Sequence, residues 1–429
     1  MHHSCKINFL MFKVFKNTKS ILITLVLLAY VGLFFPLNVS NVTLIALLAF
    51  SLVKTKPKEF IESIRKNSYS QVMIGIYLLL IIGLLYTSNM KSGLFVLEKK
   101  MSFLLIPLLV LPILQREKVT DRKVFIAIGL ITIASSIILL VVALYKTLVL
   151  HDTDAFFYEN FTSIHYVYYS LYFAFGSLLL IESLLDEMII RPTGIIIISL
   201  LFIYSLGVLI YVASKTGIMI YCISSVIIFF MKIKNKKIFI ISIILMIGSA
   251  SILFYFNKTS RSRFEGLTEH LSVLTSNDLA SEGITITDLN MRLLFWKLSL
   301  IDGSADYFVW LGLGTGDVQT YLDGLYTKNT LYGYLGYDTH NEWIFTWLQL
   351  GLPGIIVVGF LFVKFLRDAY FRRDLKFMIF LLITLAFSQS ESILESNKGI
   401  VFFVLFFTLF CVPYKKESIS IIANRDFKS

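Results

Sequence analysis

The sequence predicts an all-α, polytopic membrane protein of about 12 transmembrane helices, with one large loop between the ninth and tenth. Three observations point there. The 429 residues are 57% hydrophobic and only 16% charged, far too apolar for a soluble globular domain. The hydrophobic residues run uninterrupted over the roughly 20 positions a helix needs to span a bilayer, where only a helix satisfies every backbone N–H and C=O. The short segments of alternating polarity that a β-barrel would require are absent.

The first predicted span, 20–36, follows a basic start and has no small-residue cleavage site after it, so it reads as a retained signal-anchor helix. Residues 38–53 follow across Pro36 and Asn38 as the second arm of a tight hairpin. Next come 71–87, 101–114, 124–146 and 164–184, of which 38–53 and 101–114 are short enough to be tilted or partly re-entrant. A second hairpin, 194–213 and 217–232, is split by Ser214-Lys215-Thr216, and 237–256 completes the first nine. After the long loop, 344–366, 376–390 and 399–414 close the set. The division is 1–256, 257–343 and 344–429, read as one integrated domain.

Charge sets the orientation. With the N-terminus inside, most of the 39 basic residues fall on inner segments, among them Lys54, Lys56, Lys58, Arg116, Arg122, Lys232, Lys234, Arg372, Arg373 and Lys415. The positive-inside rule then gives cytoplasmic N- and C-termini in a bacterial inner membrane. One inner loop fits poorly, since 185–193 sets Asp186 and Glu187 against Arg191 alone. The +11 net charge needs no nucleic-acid partner, because the excess lies in short loops that meet anionic lipid head groups. Cys5, Cys222 and Cys411 are too scattered for a disulfide framework or a metal site.

The outer face keeps the material for a site. It holds an acidic, aromatic loop at 147–163 and the long loop 257–343, with amphipathic stretches at 261–275 and 291–301. Ionisable groups on this side are Glu98, Lys99, Lys100, His165, Lys215, Arg261, Arg263, Arg292, Asp317, His340, Glu391 and Glu395. Any one lysine here reads equally well as a snorkelling interface residue. The whole set on one face is better explained by a shared anionic ligand.

The strongest stretch is Tyr337-Asp338-Thr339-His340-Asn341-Glu342-Trp343, running into Trp347-Leu348-Gln349-Leu350-Gly351-Leu352-Pro353-Gly354. A neutral imidazole, with an ordinary pKa of about 6.5, is suited to take a hydroxyl proton. The plain alternative is a capping or interfacial histidine.

This His-Asn…Leu-Gln-x-Gly-x-x-Gly pattern after a large outer loop resembles the O-antigen ligase/O-antigen polymerase superfamily. Asn290-Met291-Arg292-Leu293-Leu294-Phe295-Trp296-Lys297 resembles that family's Arg-x-x-x-Trp helix, and Leu311-Gly312-Leu313-Gly314-Thr315-Gly316-Asp317 the Gly-x-Gly segment after it. Ser214-Lys215-Thr216-Gly217 stands where the family usually has Ser-Arg-Gly. Leu97-Glu98-Lys99-Lys100 and Ser163-Ile164-His165 also agree.

The resemblance implies metal-independent transfer of a glycan, with no cofactor, from a polyprenyl-pyrophosphate donor to an acceptor hydroxyl. The acceptor is lipid A–core in a ligase and a second lipid-linked glycan in a polymerase. It makes His340 the base or acceptor-orienting group, Arg292 the holder of the pyrophosphate, and Lys215 the stand-in for a second arginine. Lysine neutralises phosphate charge but lacks the guanidinium fork. His165, Lys99, Lys100, Asp317, Asn341, Glu391 and Glu395 are the expected substrate contacts, with a plain salt-bridge role open for the two glutamates.

The Gly312-x-Gly314-x-Gly316 run is not a dinucleotide fingerprint, since no strand precedes it. A tight turn opening a helix is expected there, with Asp317 as its cap or as a sugar contact. A transporter or flippase remains the reading from another class. Against it, the sequence shows no paired Gly/Pro-broken spans in matching halves, and charges gather at one face rather than at the midplane.

Overall fold

A computed structural model describes residues 17–152, 154–156, 158–162, 164–188, 192–257, 288–302 and 308–412. Every regular element among them is helical. Seven helices are long and apolar enough to cross a membrane: Leu37–Lys54, Arg122–Val149, Tyr166–Asp186, Thr193–Tyr211, Lys215–Lys232, Lys236–Leu253 and Glu342–Phe371. Pro57–Lys66 with Ser68–Leu84 makes an eighth if the pair is one span, although the two bend by 88°. Thr18–Leu33, Leu375–Phe387 and Asn397–Phe410 are apolar but shorter. By length and composition the described residues thus supply seven or eight spans, fewer than the about 12 expected.

The expected span 101–114 illustrates the shortfall. It forms Ser102–Leu105, a π-helical turn at Ile106–Val110 and Leu111–Glu117. Pro107 and Pro112 each lack an N–H and crowd the preceding turn, which favours such a bulge over a regular helix.

Tyr166–Asp186 is the central helix, with 89% of its apolar window buried, whereas Lys236–Leu253 lies at the periphery with 6%. Aromatic rings fill the space around the centre. Phe175 meets Phe406 edge-on at 4.7 Å, Phe402 at 5.4 Å and Phe380 at 5.5 Å between ring centroids. Each such pair contributes about 0.5–1.5 kcal/mol beyond its buried area.

The two ends of the bundle differ. At one end Glu182, buried on the central helix, bridges Lys232 at 3.0 Å and also Lys376, while Arg122 donates to the Ser183 carbonyl at 2.8 Å. At the other end Ser170 donates to Ser214 at 2.8 Å and Lys398 donates to the Leu33 carbonyl at 3.1 Å. A second hydrophobic cluster sits at this latter end. Leu294, Phe295 and Leu298 pack with Leu322, Leu325, Tyr326, Ile344 and Leu348, joining the loop helices to the top of Glu342–Phe371.

The glycine run forms an inserted loop. Leu313 donates its N–H to the Leu348 carbonyl at 2.7 Å and Gly314 to the Gln349 carbonyl at 3.2 Å, while Thr315 donates to the Gly83 carbonyl at 3.3 Å. Those helix carbonyls are free because Glu342–Phe371 is broken at Gly351, whose φ of 60° is left-handed. A Cβ on Gly351 would lie 2.6 Å from the Gly312 nitrogen, so both the angle and the contact demand glycine. Among the described residues, helices are thus interrupted near Pro107 and at Gly351 as well as at the 88° bend.

Candidate functional site

Arg292 lies on the helix Asp288–Lys297, one turn before Phe295 and Trp296. Phe295 is fully buried in the second hydrophobic cluster, and Trp296 donates its indole N–H to the Thr339 carbonyl at 2.9 Å. These two anchors fix the helix against the turn that carries His340. His340 has a φ of 46°, a conformation L residues adopt at a cost of roughly 1–3 kcal/mol, and such strain concentrates at functional sites. Its N–H donates to Asp338 Oδ1 at 2.7 Å, which holds the turn. Asn341 then caps the next helix, accepting from the N–H groups of Trp343 at 2.9 Å and Ile344 at 3.1 Å.

A third segment completes the arrangement. The turn after Leu375–Phe387 is gripped by the start of Glu342–Phe371: Asn341 donates to the Gln389 carbonyl at 3.1 Å, Glu342 donates its N–H to Ser388 at 2.9 Å, and Leu394 donates to Glu342 Oε2 at 2.8 Å. Held this way, Glu391 presents one carboxylate oxygen to each of two partners. Arg292 Nη2 donates to Oε1 at 2.6 Å, and His340 Nδ1 lies 3.1 Å from Oε2. Arg292 Nε also donates to the Ser390 carbonyl at 3.1 Å.

Because an ionised carboxylate only accepts, Nδ1 of His340 carries the proton in this contact. Nε2 is left with its lone pair. It is buried and has no hydrogen-bond partner among the described residues. Burial alone would lower the pKa of His340, but the hydrogen bond and charge of Glu391, together with Asp338, outweigh it and raise the pKa above the ordinary 6.5. Burial would raise Glu391, and there the cations His340 and Arg292 win and hold it below the usual carboxylate value. For Asp338 burial wins, and its pKa is raised.

Lys215 begins the helix Lys215–Lys232, capped by Ser214. The neighbouring Thr216 hydroxyl bonds Ser390 at 2.9 Å, so this helix start adjoins the residue before Glu391. Lys99, Lys100 and Glu395 form a second group: Lys99 lies 3.5 Å from Glu395, and Lys100 pairs with it and donates to Gln349 Oε1 at 3.1 Å. Lys100 is 5% exposed, and with Glu342 and Gln349 it lines a small cavity between the helices interrupted near Pro107 and at Gly351.

Other expected contacts do different work. Asp317 stands at the N-cap position of Val318–Lys328 without capping it, and its carboxylate accepts from the N–H groups of Ser88 at 2.6 Å and Asn89 at 2.7 Å. His165 is exposed at the mouth of the central helix, its ring 4.7 Å from that of Tyr166. Tyr168, one turn on, pairs with Ser396 and feels the charge of Glu391. Arg261, Arg263 and the amphipathic stretch 261–275 lie outside the described residues. Among the described residues no cluster of three or more metal-ligating side chains occurs. The larger apolar groove, of about 480 Å³ between Thr193–Tyr211, Lys215–Lys232 and Lys236–Leu253, has no charged lining residue and is remote from this chemistry.

With Arg292 and His340 meeting on Glu391, and the start of the helix that Lys215 opens touching Ser390, comparison with known proteins becomes informative. Residues 200–359 match the O-antigen ligase family. This supports the O-antigen ligase superfamily, whose members are membrane glycosyltransferase-type enzymes. No curated protein matches the chain. The matched O-antigen ligase segment encloses Lys215, Arg292, Asp317, His340 and Asn341, whereas Lys99, Lys100, His165, Glu391 and Glu395 lie outside it.

Sequence reasoning passed over Glu342, Asp338 and Ser390 as site residues. A signal existed for Glu342, an acidic group at the first turn of an apolar helix. Ser390 contributes a carbonyl, which no side-chain pattern reveals.

Proposed function

We propose that this protein is an O-antigen-ligase-like glycosyltransferase. It moves a glycan from a polyprenyl-pyrophosphate donor to a hydroxyl of lipid A–core at the periplasmic face of the inner membrane. The reading assigns the shorter apolar helices and the broken segment 102–117 as further spans, bringing the total to about 12 with both termini cytoplasmic. The bundle end that carries Glu182, Lys232 and Lys376 is then cytoplasmic, in keeping with the positive-inside rule.

The observation that carries the proposal is the meeting of Arg292 and His340 on Glu391, next to the start of the Lys215 helix. Transfer needs a group to take the acceptor proton and fixed cations for the charge that develops on the departing pyrophosphate. In this reading the acceptor O–H bond breaks and its proton passes to His340 Nε2. The oxygen bonds to the anomeric carbon, and the bond from that carbon to the diphosphate oxygen breaks with its electron pair. Arg292 and Lys215 stabilise the diphosphate as it leaves. No metal is required, because the leaving group is already good and the charge is met by side chains. Lys99, Lys100, Glu395 and His165 line the approach, and Asn341 holds the turn in place.

Reconstitution with a lipid-linked glycan and two rival acceptors tests the reading. Transfer to lipid A–core supports a ligase, transfer to a second lipid-linked glycan supports a polymerase, and no transfer to either refutes both. Activity should persist in the presence of a chelator. One observation favours a transporter instead, the Lys100–Glu342–Gln349 cavity between two interrupted helices. Uptake of the lipid-linked glycan into vesicles without glycosyl transfer is the result that would establish it.

A further inference from the structure

Glu391 lies outside the matched O-antigen ligase segment, yet both principal site residues hang on it. Its side chain is about 5% exposed, and each carboxylate oxygen is committed to a different partner. We infer that Glu391 is a positioning residue coupling donor binding to the base: it holds His340 with Nε2 facing the acceptor, and holds Arg292 until a diphosphate takes that guanidinium over. The inference rests on the transferase reading above.

Competition is the physical basis. A diphosphate and a carboxylate are both anionic acceptors for the same Nη2 donor. The Nε donor can stay on the Ser390 carbonyl, so the guanidinium turns without leaving the site. Once Arg292 faces the diphosphate, one of the two cations balancing Glu391 has moved away. The remaining negative charge then acts on the imidazole and makes it a stronger base when donor is present.

The other groups facing His340 do not offer this switch. Asp338, on the same turn, has Oδ1 3.7 Å from Nδ1 and is a carboxyl group, not a cation. Phe295 stacks at 6.1 Å between ring centroids, and Tyr337 lies at 6.1 Å, both uncharged rings. Glu395 lies further back, acts on Asp338 and is paired with Lys99 and Lys100. Among the described residues facing the imidazole, Arg292 is the cation that a diphosphate could recruit.

The test follows the imidazole itself. Full-length protein labelled on histidine is titrated by NMR in micelles, and His340 is assigned among the six histidines by its loss in His340→Gln. Without ligand, Glu391→Gln should lower the His340 titration by about one pH unit or more and Arg292→Ala should raise it. Glu391→Asp, which keeps the charge, should restore part of the wild-type value. Farnesyl diphosphate as probe should raise the wild-type titration further, and by clearly more than in Glu391→Gln. Equal shifts in the two proteins, with the probe bound, overturn the coupling and leave the transferase reading standing. Failure of the probe to bind wild type overturns both.

Discussion

The indole nitrogen of Trp296 donates to the backbone carbonyl of Thr339 at 2.9 Å. Through that bond the helix bearing Arg292 is registered to the turn bearing His340, although neither functional side chain takes part. Trp296→Phe keeps an aromatic ring and removes the donor. We predict a fall in glycan transfer on the order of tenfold from the loss of alignment, with Glu391 and His340 intact. Unchanged transfer would show that Phe295 packing alone sets the register.

His340→Ala and Arg292→Ala are predicted to remove transfer, each by about 10²–10⁴-fold, the usual worth of a general base or of a donor aimed at developing charge. Expression and membrane insertion should be normal, because neither side chain lies on a helix long and apolar enough to cross the membrane. Arg292→Lys should recover little. One ammonium cannot hold both the Ser390 carbonyl and an anion in the planar fork that Arg292 uses. Wild-type activity in both alanine variants would remove the site.

Transfer should depend on pH with the sign of a base. Glu391 and Asp338 raise the pKa of His340 above 6.5, and the neutral imidazole is the active form. Rate should therefore increase with pH along a limb centred above the ordinary histidine range. A limb centred at or below the ordinary value would mean that the carboxylates do not act on the ring.

Gly351→Ala is predicted to destabilise the fold. Its φ of 60° with ψ of −152° lies in a region that is essentially glycine-only and costs an L residue about 1–3 kcal/mol, and its Cβ would press on the Gly312 nitrogen at 2.6 Å. Thermal unfolding in detergent should show a lower midpoint, and the loop bonds from Leu313 and Gly314 to the broken helix should exchange their amide protons faster. An unchanged midpoint would mean that the helix break tolerates a side chain.

Much of the architecture was legible before any coordinates. The apolar runs mark the helices to within a few residues, because burying a backbone in lipid demands length and apolarity that a reader can count. Lys215 and His340 stand out because a cation or imidazole at the mouth of an apolar helix is costly without a purpose, whereas Arg292, on a polar loop helix, stands out only through the motif that resembles the O-antigen ligase family. The 88° bend at Asn67 and the π-helical turn around Pro107 were not legible. Each depends on what a neighbouring helix offers in exchange for a lost backbone bond.

Residue order and composition alone determined that this chain is helical and membrane-embedded, and which side chains are chemically capable of handling a diphosphate and a hydroxyl. Tertiary packing decided which of them meet. Asp317 went to the Ser88–Asn89 backbone, Lys100 to Glu395 and Gln349, and Glu391 to the point between Arg292 and His340. Hydrophobicity and charge are properties of each residue where it stands, whereas a shared carboxylate requires three distant segments to be brought within hydrogen-bond reach by the helices that carry them.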